Sequence, residues 1–214
     1  MSETMLLRNG TIVTLGASNR VLYDHALLVE GGRIRRIAPS SSFAGFQGKV
    51  IDAFGQVVMP GFINVHMHFY STMVRGLGKA KPSSNFQEVL ENLWWRLDRK
   101  LLLEDCYYSA LIPLIDAVRN GTTTFIDHHA SPFAISGSLD RIAEAVRQSG
   151  LRASLCYEVS DRDGAERARE GLEENTAFIR RCRAEGGAQL QALFGLHAAF
   201  TLTDETMDQA ARAA

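Results

Sequence analysis

Cysteine is scarce and unpaired in this 214-residue chain, net charge is close to zero, and long apolar runs are missing. The three cysteines, Cys106, Cys156 and Cys182, lie far apart and form no C-x-x-C pair. That spacing argues against a disulfide framework and a cysteine-built zinc site, and leaves reduced core thiols in a cytoplasmic protein as the expectation. With 23 Lys and Arg against 24 Asp and Glu, the formal charge is −1. No broad basic surface is therefore offered to nucleic acid or to an anionic membrane. No stretch approaches the ~20 apolar residues of a membrane span. Residues 1–10 hold no apolar run of signal-peptide length. What remains is ordinary for a folded protein: 46% hydrophobic and 22% charged residues, enough for a sizeable core in one or two domains.

Two textures divide the chain, with residues 1–58 expected to form a β-sandwich segment and residues 59–214 a strand–helix array. The first part reads as short strands joined by glycine turns. Residues 5–8 and 11–15 flank Asn9-Gly10, residues 26–30 and 33–38 flank Gly31-Gly32, and residues 49–52 and 56–59 flank Gly55, predicting three hairpins. From Pro60 onward strands alternate with helices. The pattern predicts strands over 62–68, 122–128, 152–159 and 190–197. It predicts helices over 86–97, 104–120, 139–149 and 165–184, and a last one opened by Thr203. Gly121 and Gly150 sit where helices stop, and Ser138 sits where an N-cap belongs. In the charged helix 165–184, Ala165, Ala168, Leu172, Ile179 and Cys182 share one face, and the Arg and Glu residues are read as solvated. Repeated units of this kind imply a parallel sheet and an α/β fold. Four units are half of a (β/α)8 barrel, which needs ~250 residues. The expectation is the N-terminal half of a longer hydrolase barrel, truncated after strand four, with two open sheet edges.

Chemistry concentrates at the ends of these strands. In Phe62-Ile63-Asn64-Val65-His66-Met67-His68 the two histidines stand at i and i+2, so their side chains share a face and can hold one metal ion. Ile63, Val65 and Met67 form the opposite, apolar face, expected beneath helices. Imidazole suits zinc, iron or nickel. His197 ends strand four and should point into the barrel mouth, as a third ligand or as a group that holds substrate. Asp127, His128 and His129 end strand two, and alternation separates His128 from the other two. Periodicity does not decide which set faces inward. One histidine is expected in the pocket and the other in a loop or on the surface. His128 is the candidate substrate contact, and neither is expected as a metal ligand. Trp94-Trp95 lies in the long connection after strand one, where Trp94 is a candidate wall for a flat heterocycle. At least one of the two tryptophans is expected to pack structurally. Arg75 is left between anion contact and loop support, and His25 is expected at the surface.

Asp52-x-x-Gly55, Met59-Pro60-Gly61-Phe62-Ile63-Asn64-x-His66-x-His68, Gly121-Thr122-Thr123-Thr124 and Gly195-Leu196-His197 together resemble the amidohydrolase superfamily. Within it they resemble the branch of cytosine and guanine deaminases, methylthioadenosine/adenosylhomocysteine deaminases and triazine chlorohydrolases. The run Asp127-His128-His129-Ala130-Ser131-Pro132 is similar to that of the aminohydrolases called SsnA. The resemblance implies a metal-dependent aminohydrolase acting on a C–N bond of a purine, pyrimidine or related small heterocycle. One divalent metal, zinc or alternatively iron, would be bound by His66 and His68, and His197 would orient the substrate ring. The absence of a lysine near the end of strand four argues against a bridged two-metal site. The resemblance places a third metal histidine, a proton-shuttling glutamate and a metal-binding aspartate on later strands, so no catalytic proton shuttle is expected within these residues. A homo-oligomer is expected at full length. Chloride hydrolysis, cyclic-amide opening, or a non-catalytic fragment are the alternative readings, and these 214 residues alone are expected to be inactive.

Overall fold

A computed structural model describes residues 4–77 and 81–214. Glycine turns and short apolar runs shape the first of two units, Met1–Gly61. Its sheet contains β1 (Thr4–Val13), β2 (Val21–Glu30), β3 (Arg33–Pro39), β4 (Lys49–Asp52) and β5 (Val57–Val58). The order is β3-β2-β1-β4, with β5 also on β1. Gly31-Gly32 makes the expected hairpin: Glu30 faces Arg33, and both glycines have positive φ, 56° and 74°.

The other two expected hairpins are not formed. Asn9-Gly10 is a bulge inside β1, where the register on β2 moves from Leu7↔Leu27 to Gly10↔His25. Asn9 takes φ 59° there and its amide donates to Asp52 Oδ2 at 2.7 Å. A Cβ on Gly10 would come within 2.9 Å of Ala53, Gln56 and Val58. The dipeptide thus serves close packing rather than reversal. Around Gly55 the chain also continues forward, because β4 and β5 each pair parallel with β1 on either side of that bulge.

The second unit, Phe62–Ala214, carries β6 (Phe62–Met67), β7 (Thr122–His129), β8 (Arg152–Tyr157) and β9 (Leu190–Ala192) in that spatial order. All three pairings are parallel. After β6 come two short helical pieces, α1 (Phe86–Val89) and α2 (Trp95–Leu97), joined by a π-helical turn at Leu90–Trp94. The long crossovers are α3 (Leu103–Asn120), α4 (Ser138–Ser149) and α5 (Ala165–Glu185), and α6 (Asp204–Ala213) follows β9. Gly121 ends α3 in the left-handed region at φ 76°. The core lies between helices and sheet: Leu114 of α3, Leu139, Ile142 and Val146 of α4, and Phe125 and Leu155 of the strands are buried. This arrangement settles the alternation on β7. Phe125, Asp127 and His129 face the helices, and Thr124, Ile126 and His128 take the other side.

Four expectations are corrected here. The Ser138 hydroxyl does not cap α4. Gly137 is the cap residue, and buried Glu174 of α5 accepts the N–H groups of Gly137 and Leu139, each at 3.0 Å. Glu174 is therefore not on the solvated face of α5, whereas Ala165 is exposed. Ile63 and Val65 are 63% and 66% exposed rather than covered, because the helices pack over β7 and β8 and β6 lies at the sheet edge. Strand four is short. After Ala192 the Leu193 N–H still reaches the Leu155 carbonyl at 3.0 Å, and the chain then meets the segment that follows β8 through the Val159 N–H to Gly195 carbonyl bond of 3.3 Å, a bridge between Val159 and Leu196, and the His197 N–H to Val159 carbonyl bond of 2.9 Å.

Candidate metal centre

His66 lies within β6 and His68 immediately follows it, so the pleat sends both rings to one side. Their Nε2 atoms stand 3.2 Å apart. His68 Nδ1 lies 2.9 Å from the His128 carbonyl oxygen and 3.2 Å from Glu158 Oε1. Both neighbours are acceptors, so the ring proton sits on Nδ1 and Nε2 presents a bare lone pair. Hydrogen bonding to Glu158 is the leading cause that raises the His68 pKa, against the opposing effect of burial. The spot between the two Nε2 atoms thus favours positive charge. Two nitrogens each ~2.0–2.1 Å from one tetrahedral ion stand about 3.3–3.4 Å apart, so the observed spacing fits two ligands of a single cation. Among the described residues no group of three His, Cys, Asp or Glu side chains closes on one point. The pair offers two nitrogens, fewer than the three protein groups common in catalytic zinc sites.

The turn that follows is fixed from below. Asp127, fully buried on β7, accepts the Phe69 N–H at 2.7 Å and so locks the first residue of the helical turn Phe69–Val74 behind His68. Burial raises the Asp127 pKa to about 8. Its partner in sequence, His129, is also buried and not a loop or surface residue. It lies 2.9 Å from Ser131 Oγ, and burial drives its pKa down to about 3, keeping it neutral.

A cavity of about 410 Å³ opens beside the pair, and His66, His68, His128, Glu158, His197 and Trp94 all contribute to its lining. Trp95, Phe86, Leu90 and Leu196 add apolar wall. Trp94 also packs against Tyr70, ring centroids 6.3 Å apart, and Trp95 stands 6.3 Å from His197. The Arg162 guanidinium lies 5.2 Å from the Trp95 ring and is itself paired with buried Asp98. His197 donates from Nδ1 to Thr201 Oγ1 at 2.8 Å, and burial holds its pKa below the ordinary value. Burial lowers His128 as well. Arg75 is exposed and 3.8 Å from Asp116, away from this lining. His25 is half-buried, with Nδ1 2.7 Å from the Tyr23 carbonyl oxygen.

Glu158 is the residue that sequence reasoning passed over. It follows the last residue of β8, is 7% exposed, and sits among three histidines: 3.2 Å from His68, 4.0 Å from His128 and 3.9 Å from His197. The signal was available, because a carboxylate at the C-terminal end of a third parallel strand stands level with the histidines ending the others.

Residues 57–214 match the model of the amidohydrolase family. The chain is 30% identical over 214 residues to a 5-methylthioadenosine/S-adenosylhomocysteine deaminase of Pelotomaculum thermopropionicum, covering 97% of this chain and 47% of that protein. A 5'-deoxyadenosine deaminase of Methanosarcina barkeri is 30% identical over 201 residues, covering 94% and 44%. The chain spans about half the length of these curated relatives. Among solved structures, a triazine hydrolase from Arthrobacter aurescens superimposes with TM-score 0.77 at 20% identity, covering 98% of this chain and 50% of that one. An adenosine deaminase from Xanthomonas campestris with bound zinc gives TM-score 0.76 at 20% identity, covering 97% and 46%. The four-stranded parallel array thus has the fold of the N-terminal part of an amidohydrolase barrel. No helix among the described residues is long and apolar enough to cross a membrane. On the match over residues 57–214, this chain belongs to the amidohydrolase family.

Proposed function

We propose that the full-length protein is a metal-dependent aminohydrolase cleaving a C–N bond of an amino-substituted heterocycle, a purine or pyrimidine. One observation carries this reading: two imidazole Nε2 atoms 3.2 Å apart at the edge of an aromatic-walled cavity. The two 30%-identical relatives, both named as deaminases of adenosine-type compounds, support the substrate class. His66 and His68 would hold one divalent ion, zinc before iron. The chemistry such an ion supplies is water acidified toward neutral pH and polarisation of the attacked bond.

The chain's own residues prepare that site. Glu158 and the His128 carbonyl hold the proton of His68 on Nδ1, which leaves the Nε2 lone pair free for the ion that this residue would help to hold. His197, with Nδ1 tied to Thr201, keeps Nε2 for the substrate ring. Trp94 and its apolar neighbours exclude water and flank a flat ring. His128 also lines the cavity, its ring centroid 5.9 Å from that of His66, at a pKa below the ordinary imidazole value. Two ligands are fewer than the three protein groups common in catalytic zinc sites, so the 214 residues alone are proposed not to turn over. Three buried free thiols suit a reducing compartment such as the cytoplasm.

The test is ammonia release from a panel of aminopurines and aminopyrimidines by the full-length protein, beside His66→Ala and His68→Ala. Turnover that vanishes in both variants is expected. Full activity in either variant refutes the assignment, and a product other than ammonia moves the reaction to another leaving group.

A further inference from the structure

The Thr201 hydroxyl has one proton, and it is committed to the Ala198 carbonyl at 2.7 Å. The same oxygen lies 2.8 Å from His197 Nδ1 and must therefore accept from it. The neutral His197 ring consequently carries its hydrogen on Nδ1 and leaves Nε2 as a bare acceptor. That Nε2 faces Glu158 Oε2 at 3.9 Å. Glu158 is engaged through its other oxygen, Oε1, with His68 at 3.2 Å. Oε2 makes no hydrogen bond to any described residue. Two acceptors thus converge at the cavity wall with no described protein donor between them, and a ligand that covers them must supply the hydrogens itself.

We propose that Glu158 and His197 form a two-acceptor recognition site that selects substrates presenting an N–H2 group, or two adjacent N–H donors, at the strand-three and strand-four side of the cavity. This deepens the aminohydrolase reading and rests on it for the class of ring. It adds a specificity rule: a ring edge bearing a methyl, an oxo group or a lone pair at that point is rejected, because it leaves both acceptors dry and unpaired. Glu158 links the two halves of the site, since one carboxylate orients His68 through Oε1 and reads the ligand through Oε2.

The test uses 3-aminopyridine and 3-methylpyridine. They have nearly the same shape, share a ring nitrogen, and carry no amidine carbon to hydrolyse. Dissociation constants are measured by calorimetry on the full-length protein. A hydrogen-bond donor on a carboxylate is expected to give the amino probe roughly 10- to 100-fold tighter binding, and Glu158→Gln to bring the two probes within about twofold of each other. Equal or undetectable binding of both probes to the unaltered protein overturns the proposal. So does a preference that survives in Glu158→Gln. A readout that needs no variant is nitrogen NMR of the unaltered protein: a pyridine-type signal for His197 Nε2 is expected, and a pyrrole-type signal overturns the tautomer on which the site depends. Ammonia release and metal binding bear on the aminohydrolase reading itself, so a protein that passes those and fails to discriminate the probes refutes only this inference.

Discussion

Replacing Asn175 with alanine should loosen the joint that sets the spacing of the site. Asn175 is fully buried on α5, and its side chain reaches into the sheet where β8 and strand four part. It accepts the Tyr157 N–H at 2.8 Å and donates to the carbonyls of Tyr157 at 2.9 Å and Gly195 at 3.3 Å. A helix side chain thereby stands in for a missing stretch of strand, directly ahead of Glu158 and two residues before His197. Asn175→Ala strands the Tyr157 N–H and carbonyl. The Gly195 carbonyl loses less, since it also accepts the Val159 N–H at 3.3 Å. Each stranded buried group costs ~1–3 kcal/mol, so the total should be about 3–5 kcal/mol. For a unit of this size that corresponds to a fall in Tm of roughly 6–20 °C. Asn175→Asp keeps the acceptor and loses both donors, so it should also destabilise the protein. Urea and thermal unfolding measure both. A loss under about 1 kcal/mol for Asn175→Ala would mean that water or backbone movement replaces the side chain, and the account of the β8–strand-four joint would be wrong.

Arg162→Ala should leave Asp98 buried without its cation and cost about 3 kcal/mol or more at pH 8. The cost should shrink at pH 5, because burial already raises the Asp98 pKa to about 6 and the lone acid will protonate. Urea midpoints at the two pH values check this. Gly195→Ala puts a Cβ 2.4 Å from the Tyr157 carbonyl oxygen and 2.8 Å from Cys156 Sγ. It should destabilise by about 1–3 kcal/mol or more and weaken ligand binding through a displaced His197, read by unfolding and calorimetry. The folded-state pKa of His129 is depressed to about 3 from 6.5, so the unfolded chain binds the extra proton between those values. Its contribution is complete above the unfolded pKa and is lost as pH falls toward 3, on the order of 1 kcal/mol per pH unit. His129→Gln should flatten that part of the stability–pH curve, and an unchanged slope would contradict its burial as a neutral ring.

Periodicity made the second unit legible. Apolar runs, helix-stop glycines and alternation located β6, β7, β8 and the three long helices, because each element's burial is written in its own residues. The failures have a common origin in long-range partners. Asn9-Gly10 is a strong local turn, yet the bond to Asp52 and close packing against Ala53, Gln56 and Val58 turn it into a bulge. Ser138 looks like a cap, yet Glu174, distant in sequence, does the capping. Strand four reads as continuous, yet Asn175 inserts where it departs from β8. The site follows the same rule. His66 and His68 announce themselves by spacing along one strand. His197 and His128 are expected at strand ends and Trp94 in the long connection after strand one, and all of them line one cavity. Glu158 carries no local motif. Its importance is its position among histidines contributed by three other strand ends.

The most direct test is zinc affinity of the full-length protein, measured by competition with a chromogenic chelator, beside His66→Ala and His68→Ala. One tightly held ion per chain is expected, with each substitution weakening binding by about 100-fold or more. Affinity and stoichiometry unchanged in both variants would contradict the claim that these two imidazoles hold a metal.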